Sequence, residues 1–479
     1  MNFKRKLWWA QRKNDVYKYS TFILLFLIVI ISIIYFTYSK FSSTNEMTMY
    51  ETTVEPFIKN DYFIASYIDG EWSNEIPGKN DGYIVDKIVC DNGAVGTWDY
   101  NDWEIRISNA TKKTKCSLFF VTGSLIDVEL YQGLIPVTYN SSGDVVVADT
   151  NTKWYDYSNH EWANAVLVNC ADSTIKSKCF NDDMSLKSSA VGKTISMDEI
   201  LQMYVYIPRY RYKLFNANNG TSKEQAIDII FEKVGTEKSN GTENGEWLTH
   251  PAFTFGNTEL PGIWVGKFEA SGTTDSYQIK PNQKSMTQLN LSDMFNTSRT
   301  VTTTMASTYG TSSSSSNSHM IKNIEWGAVA YLTNSIYGRY NDASTTGNQY
   351  GMYDMSGGAW EYVMGVQKDS SGIQYGSSGL SVSNMPDVKY YDLYDCQTEK
   401  ETKYTMYHLG DATKEVIKSL TGESNSWYSG YTYIVTSSSS WVVRGCNFSS
   451  TLSSSIFNFF TTPGSAWNDA SFRSVITAY

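Results

Sequence analysis

The chain has 479 residues and a net charge of -10, with 15% aromatic and 18% charged residues. An acidic balance of this size argues against a surface for nucleic acid or anionic lipid. The 35 Tyr and 14 Trp suit either a recognition surface of large, low-entropy side chains or a protein rich in aromatic strands.

Residues 1–18 carry Lys4, Arg5, Lys6, Arg12, Lys13 and Lys18 against Asp15 alone, a basic tail of +5 that leaves the rest of the chain near -15. Residues 19–39 contain no charge, and such a run matches the ~20 apolar residues that span a bilayer. The basic flank is expected on the cytoplasmic side and the large remainder outside. Thr37-Tyr38-Ser39-Lys40 offers no small-residue cleavage site, so the span reads as an uncleaved, single-pass anchor in the cell membrane.

Residues 40–77 are polar, acidic and without period, and read as a stalk. Residues 78–125 hold two strand-like runs, YIVDKIVC and CSLFFV, around an alternating WEIRIS segment, with Asp91-Asn92-Gly93 as a turn. This is a small β domain that buries little core by itself. Six cysteines follow the anchor: Cys90, Cys116, Cys170, Cys179, Cys396 and Cys446. An extracytoplasmic setting permits disulfides. Proximity favours Cys90–Cys116 and Cys170–Cys179 and leaves Cys396 with Cys446, although spacing alone does not fix the connectivity. With no C-x-x-C and with His160, His250, His319 and His408 scattered singly, no zinc site is expected.

Residues 126–245 read as a β-rich spacer and hairpin region. Ser141-Ser142-Gly143-Asp144 separates two apolar strands, and DYSNHEW a further pair. Ser196 and Glu199 form a capping box for a short helix over 194–202. Residues 203–215 (MYVYIPRYRYKLF) pair with 226–233 in a long hairpin, with Arg209, Arg211 and Lys213 turned outward to guard an edge.

Residues 246–479 carry the head. Asn290 caps a helix over 291–305, a serine run at 307–317 forms a surface loop, and Asn323 caps a helix over 324–336 with Gly338 at its end. On that helix Ile324, Ala328, Tyr331 and Leu332 make the buried stripe. Residues 351–365, GMYDMSGGAWEYVMG, place aromatics around a Ser-Gly-Gly turn. Gly357 and Gly358 make the reversal cheap, and the Asp354 carboxylate can bond its amides. Residues 366–383 read as a Gly/Ser-rich loop, and 385–440 show few strand runs.

GMYDMSGGAWEYV resembles the hallmark of the formylglycine-generating-enzyme (sulfatase-modifying-factor) family, whose domain has a C-type-lectin-like fold. GIWVGKFEAS (262–271) resembles the family's opening strand and IEWGAVAYLTNSIYGR (324–339) its tryptophan-bearing helix. WVVRGCNF (441–448) with SFR (471–473) resembles its closing motif. The expected fold class is therefore α+β, a C-type-lectin-like head after small β-rich domains and a transmembrane helix. In this resemblance Asp354, Gly357, Trp360, Glu361, Arg444 and Arg473 are framework residues. Asp354 and Glu361 are near enough in sequence to be a carboxylate pair, but within the motif they read as structural.

The family's enzymes use two closely spaced cysteines that bind copper shortly before the final motif, and here only Cys446 stands in that region. A lone thiol does not make a two-coordinate soft-metal site, so a catalytic role is not expected. The same fold serves the variable proteins of diversity-generating retroelements, which carry a hypervariable ligand surface in this segment. Adenine randomisation of an Asn codon yields Asn, Ser, Thr, Phe, Ile, Tyr and Leu, close to the alphabet of 446–467. The expected ligand residues are Asn447, Phe448, Ser450, Ser454, Phe457, Asn458, Phe459, Trp467 and Asn468, with half the aromatics serving the core. The partner class is a protein or glycan outside the cell, and no nucleic acid. The alternative is an extracellular, oxidoreductase-type enzyme of the same fold. No cofactor is expected. Calcium is the one ion left open: Trp467-Asn468-Asp469 spells a lectin calcium motif, but no Glu-Pro-Asn loop accompanies it.

Overall fold

The computed structural model describes residues 62–478 apart from short breaks, the longest being 396–406 and 448–454. The basic tail, the anchor at 19–39 and most of the stalk lie outside the described residues. Among the described residues no helix is long and apolar enough to cross a membrane. The architecture is mixed and sheet-rich, with strands far outnumbering helices.

Residues 62–122 carry a four-stranded sheet, and the segment expected as stalk supplies two of its strands, Tyr62–Ile68 and Glu71–Trp72. Tyr62–Ile68 runs antiparallel to Lys115–Thr122, which pairs on its other side with Tyr83–Cys90. The segment expected as stalk therefore joins a sheet from residue 62 onward. Its own pattern gave no strand signal, but an open edge on Lys115–Thr122 supplies the backbone partners that a strand needs. Cys90 and Cys116 face each other in register and are bonded, with an S–S distance of 2.00 Å. The buried centre is Tyr83, Leu118 and Phe120, over which Trp98 lies edge-on to Trp103 and Phe120 at 5.2 and 5.4 Å. Asn92 and Gly93 take φ of 56° and 74°, the left-handed pair expected of that turn.

The main sheet has seven antiparallel strands in the order Ser316–Met320, Ser474–Ala478, Gly262–Gly266, Ile200–Pro208, Asn164–Val168, Ile135–Tyr139, Val145–Val147. It runs straight across residue 245, so 126–245 is part of the head's own sheet and not a spacer before it. The cause is visible in Ile200–Pro208, whose residues after Leu201 are all buried: covered on both faces, it needs a partner on each edge. A second sheet is built on Trp360–Asp369, which pairs antiparallel with Trp441–Arg444 and parallel with both Asp392–Asp395 and Ala470–Phe472. The expected loop at 366–383 thus starts as strand, and Ser316–Met320, which begins inside the expected serine loop, is a fully buried strand.

Several local expectations change. No helix forms at 194–202; the Ser196 amide still donates to the Glu199 carboxylate at 3.0 Å, but the chain enters a strand at Ile200. The Tyr210–Lys213 strand does pair with Ile229–Phe231. Arg209 and Arg211, however, are buried; Arg209 lies between Glu232 at 3.1 Å and Glu259 at 2.7 Å. Alternation told which residues share a face, not that a further strand and two carboxylates cover it. Asn290 caps Leu291–Arg299 by accepting from the Asp293 amide at 3.0 Å. The following helix, Asn323–Thr333, begins after Lys322, whose amide donates to the Glu325 carboxylate at 2.8 Å, so Asn323 is not its cap. All its residues are buried, not one stripe. The 410–411 backbone presses on it so closely that a Cβ at Gly327 would stand 1.9 Å from the Gly410 carbonyl oxygen.

Cys170 and Cys179 are buried free thiols and do not form the expected disulfide. Both pack in an apolar cluster with Val166, Phe180 and Ile195, and burial pushes both thiols up. Cys446 is also free and buried, while Cys396 lies outside the described residues.

Candidate functional site

The Ser-Gly-Gly turn is set by a buried charge cluster beneath it. Trp360–Asp369 lies parallel to Ala470–Phe472 with Glu361 opposite Ser471, which brings Arg473 beside Glu361. The two are fully buried, and the guanidinium donates through Nη2 at 2.6 Å and Nε at 3.1 Å. Its remaining donors reach the Gly266 carbonyl at 2.8 Å and the Tyr353 carbonyl at 2.9 Å. One side chain thus ties the opening strand, the central motif and the closing strand together. A bidentate, fully bonded pair is the geometry in which a buried ion pair is tolerated.

A second carboxylate enters from GKFEAS. Glu269 is buried; its Oε1 accepts from the Ala359 amide at 2.7 Å, and its Oε2 has no hydrogen-bond partner among the described residues. Burial, then the Glu361 charge, pushes Glu269 up to about 8. One arginine between two carboxylates therefore leaves Glu269 holding a proton at neutral pH. The turn lies directly on it. Gly358 has φ of 71°, and a Cβ there would stand 2.1 Å from Glu269 Oε1. Gly357 donates from its amide to the backbone carbonyl of Asp354 at 3.4 Å, so the contact expected of the Asp354 side chain is made by its main chain.

Lys267 braces the other end of the motif. Its buried ammonium donates to Asn164 Oδ1 at 2.7 Å and the Gln349 carbonyl at 2.6 Å, with the Tyr353 ring 5.8 Å away. Burial holds this amine well below its ordinary range. Phe268 stacks on Tyr353 at 5.2 Å.

Arg444, the other framework arginine, is also fully buried and has no carboxylate in ion-pair contact among the described residues. It donates to Asn323 Oδ1 at 2.7 Å, to Thr413 Oγ1 at 2.6 Å and to the carbonyls of Ala412 and Asp411. The guanidinium lies over the Phe459 ring at 4.8 Å. Burial pulls it down to about 10. Asn323 is thereby explained: its side chain serves Arg444 and the Tyr394 hydroxyl instead of capping its helix.

The expected ligand residues divide. Phe457, Asn458 and Phe459 are buried and Asn447 is 8% exposed, so these four do not form an open surface. The reason is the sheet: Phe459–Thr462 is an interior strand between Trp441–Arg444 and Thr432–Tyr433. Phe457 packs on Trp427 at 5.4 Å, and Asn458 Oδ1 accepts from the Tyr431 amide at 2.8 Å. Phe448, Ser450 and Ser454 lie outside the described residues. Trp467 is half-buried and Asn468 exposed. Together with Asp469 they form a shelf against the central motif: the Asp469 carbonyl accepts from the Trp360 amide at 2.8 Å, and its carboxylate accepts from Asn447 Nδ2 at 2.7 Å. Trp467 stacks on Phe460 at 5.9 Å, and Trp360 meets Phe460 edge-on at 4.6 Å.

Sequence reasoning missed Glu269, although it stood inside a quoted motif, because nothing local marks a carboxylate as buried. It also missed Asp469 as the fixed partner of Asn447, and Glu415, which accepts from Tyr212 at 2.6 Å and from Tyr331. Burial pushes Glu415 up to about 7. Among the described residues no group of three or more His, Cys, Asp or Glu could hold a metal ion. No family model matches the chain, and no curated protein matches it.

Proposed function

We propose that the protein is a membrane-anchored, outward-facing binding protein with a C-type-lectin-like head of the formylglycine-generating-enzyme type, used for adhesion or display. The observation that carries this reading is the shelf of Trp467, Asn468 and Asp469 beside the Ser-Gly-Gly turn, where a half-buried aromatic and an exposed amide stand on a buried, well-bonded frame. A rigid frame lowers the ordering cost of association. The fold assignment is supported by the pairing of the opening stretch, Gly262–Gly266, with the closing one, Ser474–Ala478. The buried 455–462 take no part in an open surface.

Binding of chain-coated beads to candidate partner cells is the test. Asn468→Ala, at an exposed position, with the conservative Trp467→Phe, should reduce capture at least ~10-fold, the loss of about 1.4 kcal/mol, in protein that still melts cooperatively. Unaltered capture would remove the shelf from the binding surface. A reverse-transcriptase gene beside this one, with a near-copy of the 3′ coding segment differing at adenines, would support variable display.

A further inference from the structure

Lys267 and Asn164 meet in the interior, 2% and 1% exposed. Lys267 follows the strand Gly262–Gly266, and Asn164 opens Asn164–Val168. The two strands flank Ile200–Pro208, where Gly266 pairs with Tyr204 and Asn164 with Val205. Lys267 Nζ is 2.7 Å from Asn164 Oδ1 and 2.6 Å from the Gln349 carbonyl oxygen. Lys322, also buried, has the Glu325 carboxylate at 4.0 Å, whereas no carboxylate pairs with Lys267 among the described residues. A neutral amine has two protons, and the two acceptors take both. An ammonium would bring a third, for which the described residues offer no acceptor. Burial without a counter-charge acts in the same direction and holds the amine well below its ordinary value. Its lone pair is then free, and a desolvated lysine of this kind is a nucleophile. The Asn164 amide is held as firmly. Its Nδ2 donates to the carbonyls of Trp162 at 2.9 Å and Tyr350 at 2.8 Å. Its Oδ1 accepts from the Tyr139 hydroxyl at 3.1 Å as well as from Lys267. Acceptors at one end and donors at the other fix which atom is the oxygen.

We propose that Lys267 and Asn164 close an intramolecular isopeptide bond, Nζ to Cγ, with release of ammonia. Cγ is one bond from Oδ1, so a turn about the terminal Lys267 torsions carries the lone pair out of the amide plane and onto it. The Nζ–Cγ bond forms as the carbonyl electrons move to Oδ1, where the Tyr139 hydroxyl stands to stabilise the charge. Those electrons return as the Cγ–Nδ2 bond breaks. Nδ2 leaves with that bond's electron pair and a proton from Nζ, as ammonia, and no oxidant or reductant enters the balance. Burial of both side chains keeps water from competing for the carbonyl. The product is a neutral amide, which removes an ionisable group from the interior. The bond spans Ile200–Pro208 and closes a loop whose ends lie 103 residues apart. This inference does not rest on the binding reading, but it serves a tethered chain under pull, because the closed loop is not drawn out when the ends are.

The test is the mass of the full chain, purified in detergent micelles and then denatured. The parent chain should be lighter than its disulfide-bonded sequence by one ammonia, and proteolysis should give a branched peptide that joins Asn164 to Lys267. Lys267→Met should restore the full mass. Tyr139→Phe should slow closure at least ~10-fold, followed as the linked fraction after a pulse of synthesis. A full mass in the parent chain after prolonged incubation would overturn the proposal, and that measurement needs no variant to fold. A loss of ammonia that maps only to other residues, or one that persists in Lys267→Met, would overturn it equally. Each outcome is read without a binding partner, so failure here leaves the adhesion reading standing.

Discussion

Glu269 has a direct consequence for behaviour with pH. In the unfolded chain its carboxyl titrates in the ordinary range, whereas in the fold it is pushed up to about 8. Between those values the folded state binds the extra proton, so this group makes stability fall as pH rises from about 4.5 through 8. Glu415, pushed up to about 7, and Asp392, to about 6, act in the same direction. Lys267, His250 and His319, which burial holds below their ordinary values, act the other way, so the readout is the change on substitution: Glu269→Gln should raise the melting midpoint at pH 8 relative to that at pH 5, compared with the parent chain. An identical pH slope in the variant would mean that Glu269 does not hold that proton. The neighbouring pair answers differently. Glu361→Gln leaves the buried Arg473 without its counter-charge and should cost about 3–5 kcal/mol, measured by urea denaturation.

At the scale of elements, the turn before Trp360–Asp369 fixes where the binding shelf sits. Gly358 is needed twice over, for its φ of 71° and for the 2.1 Å that a Cβ would leave to Glu269. Gly358→Ala should destabilise by more than the ~1 kcal/mol of a simple strained glycine site, whereas Gly357→Ala, with nothing within 4 Å of its Cβ, should cost far less. Comparable losses for the two would show that the turn relaxes away from Glu269. The motif was legible as a tight, aromatic-walled corner from its glycines and spacing. The carboxylate beneath it was not, because it arrives from a connecting segment 90 residues earlier in the chain. In the same way the alphabet of 446–467 suggested a surface, yet 455–460 are buried and 459–462 lie between two strands. Continuous burial removes the alternation by which a half-exposed strand is recognised.

For the molecule as a whole, the seven-stranded sheet decides which pieces can stand alone. A fragment starting at residue 246 lacks four of the seven strands, those at Ile135–Tyr139, Val145–Val147, Asn164–Val168 and Ile200–Pro208. It should be unfolded or aggregated, with the unpaired edge of Gly262–Gly266 exposed. A fragment starting near residue 126 should give a cooperative melt. The small β domain depends on its cross-link instead: reduction of Cys90–Cys116, which closes 26 residues of chain, should cost it roughly 3 kcal/mol. Proteolysis within 83–122 under reducing conditions would register that loss.

What the sequence determined by itself was local: the turns at Asn92-Gly93 and Gly357-Gly358 and the Asn290 cap. Each depends on neighbours a few residues away. The tertiary structure alone decided that Arg209, Arg444 and Glu269 are buried, that Cys170 and Cys179 stay apart as thiols, and that 126–245 shares its sheet with the head. Those outcomes depend on which distant segments cover a given face, and burial by a remote strand leaves no mark on the residues it covers.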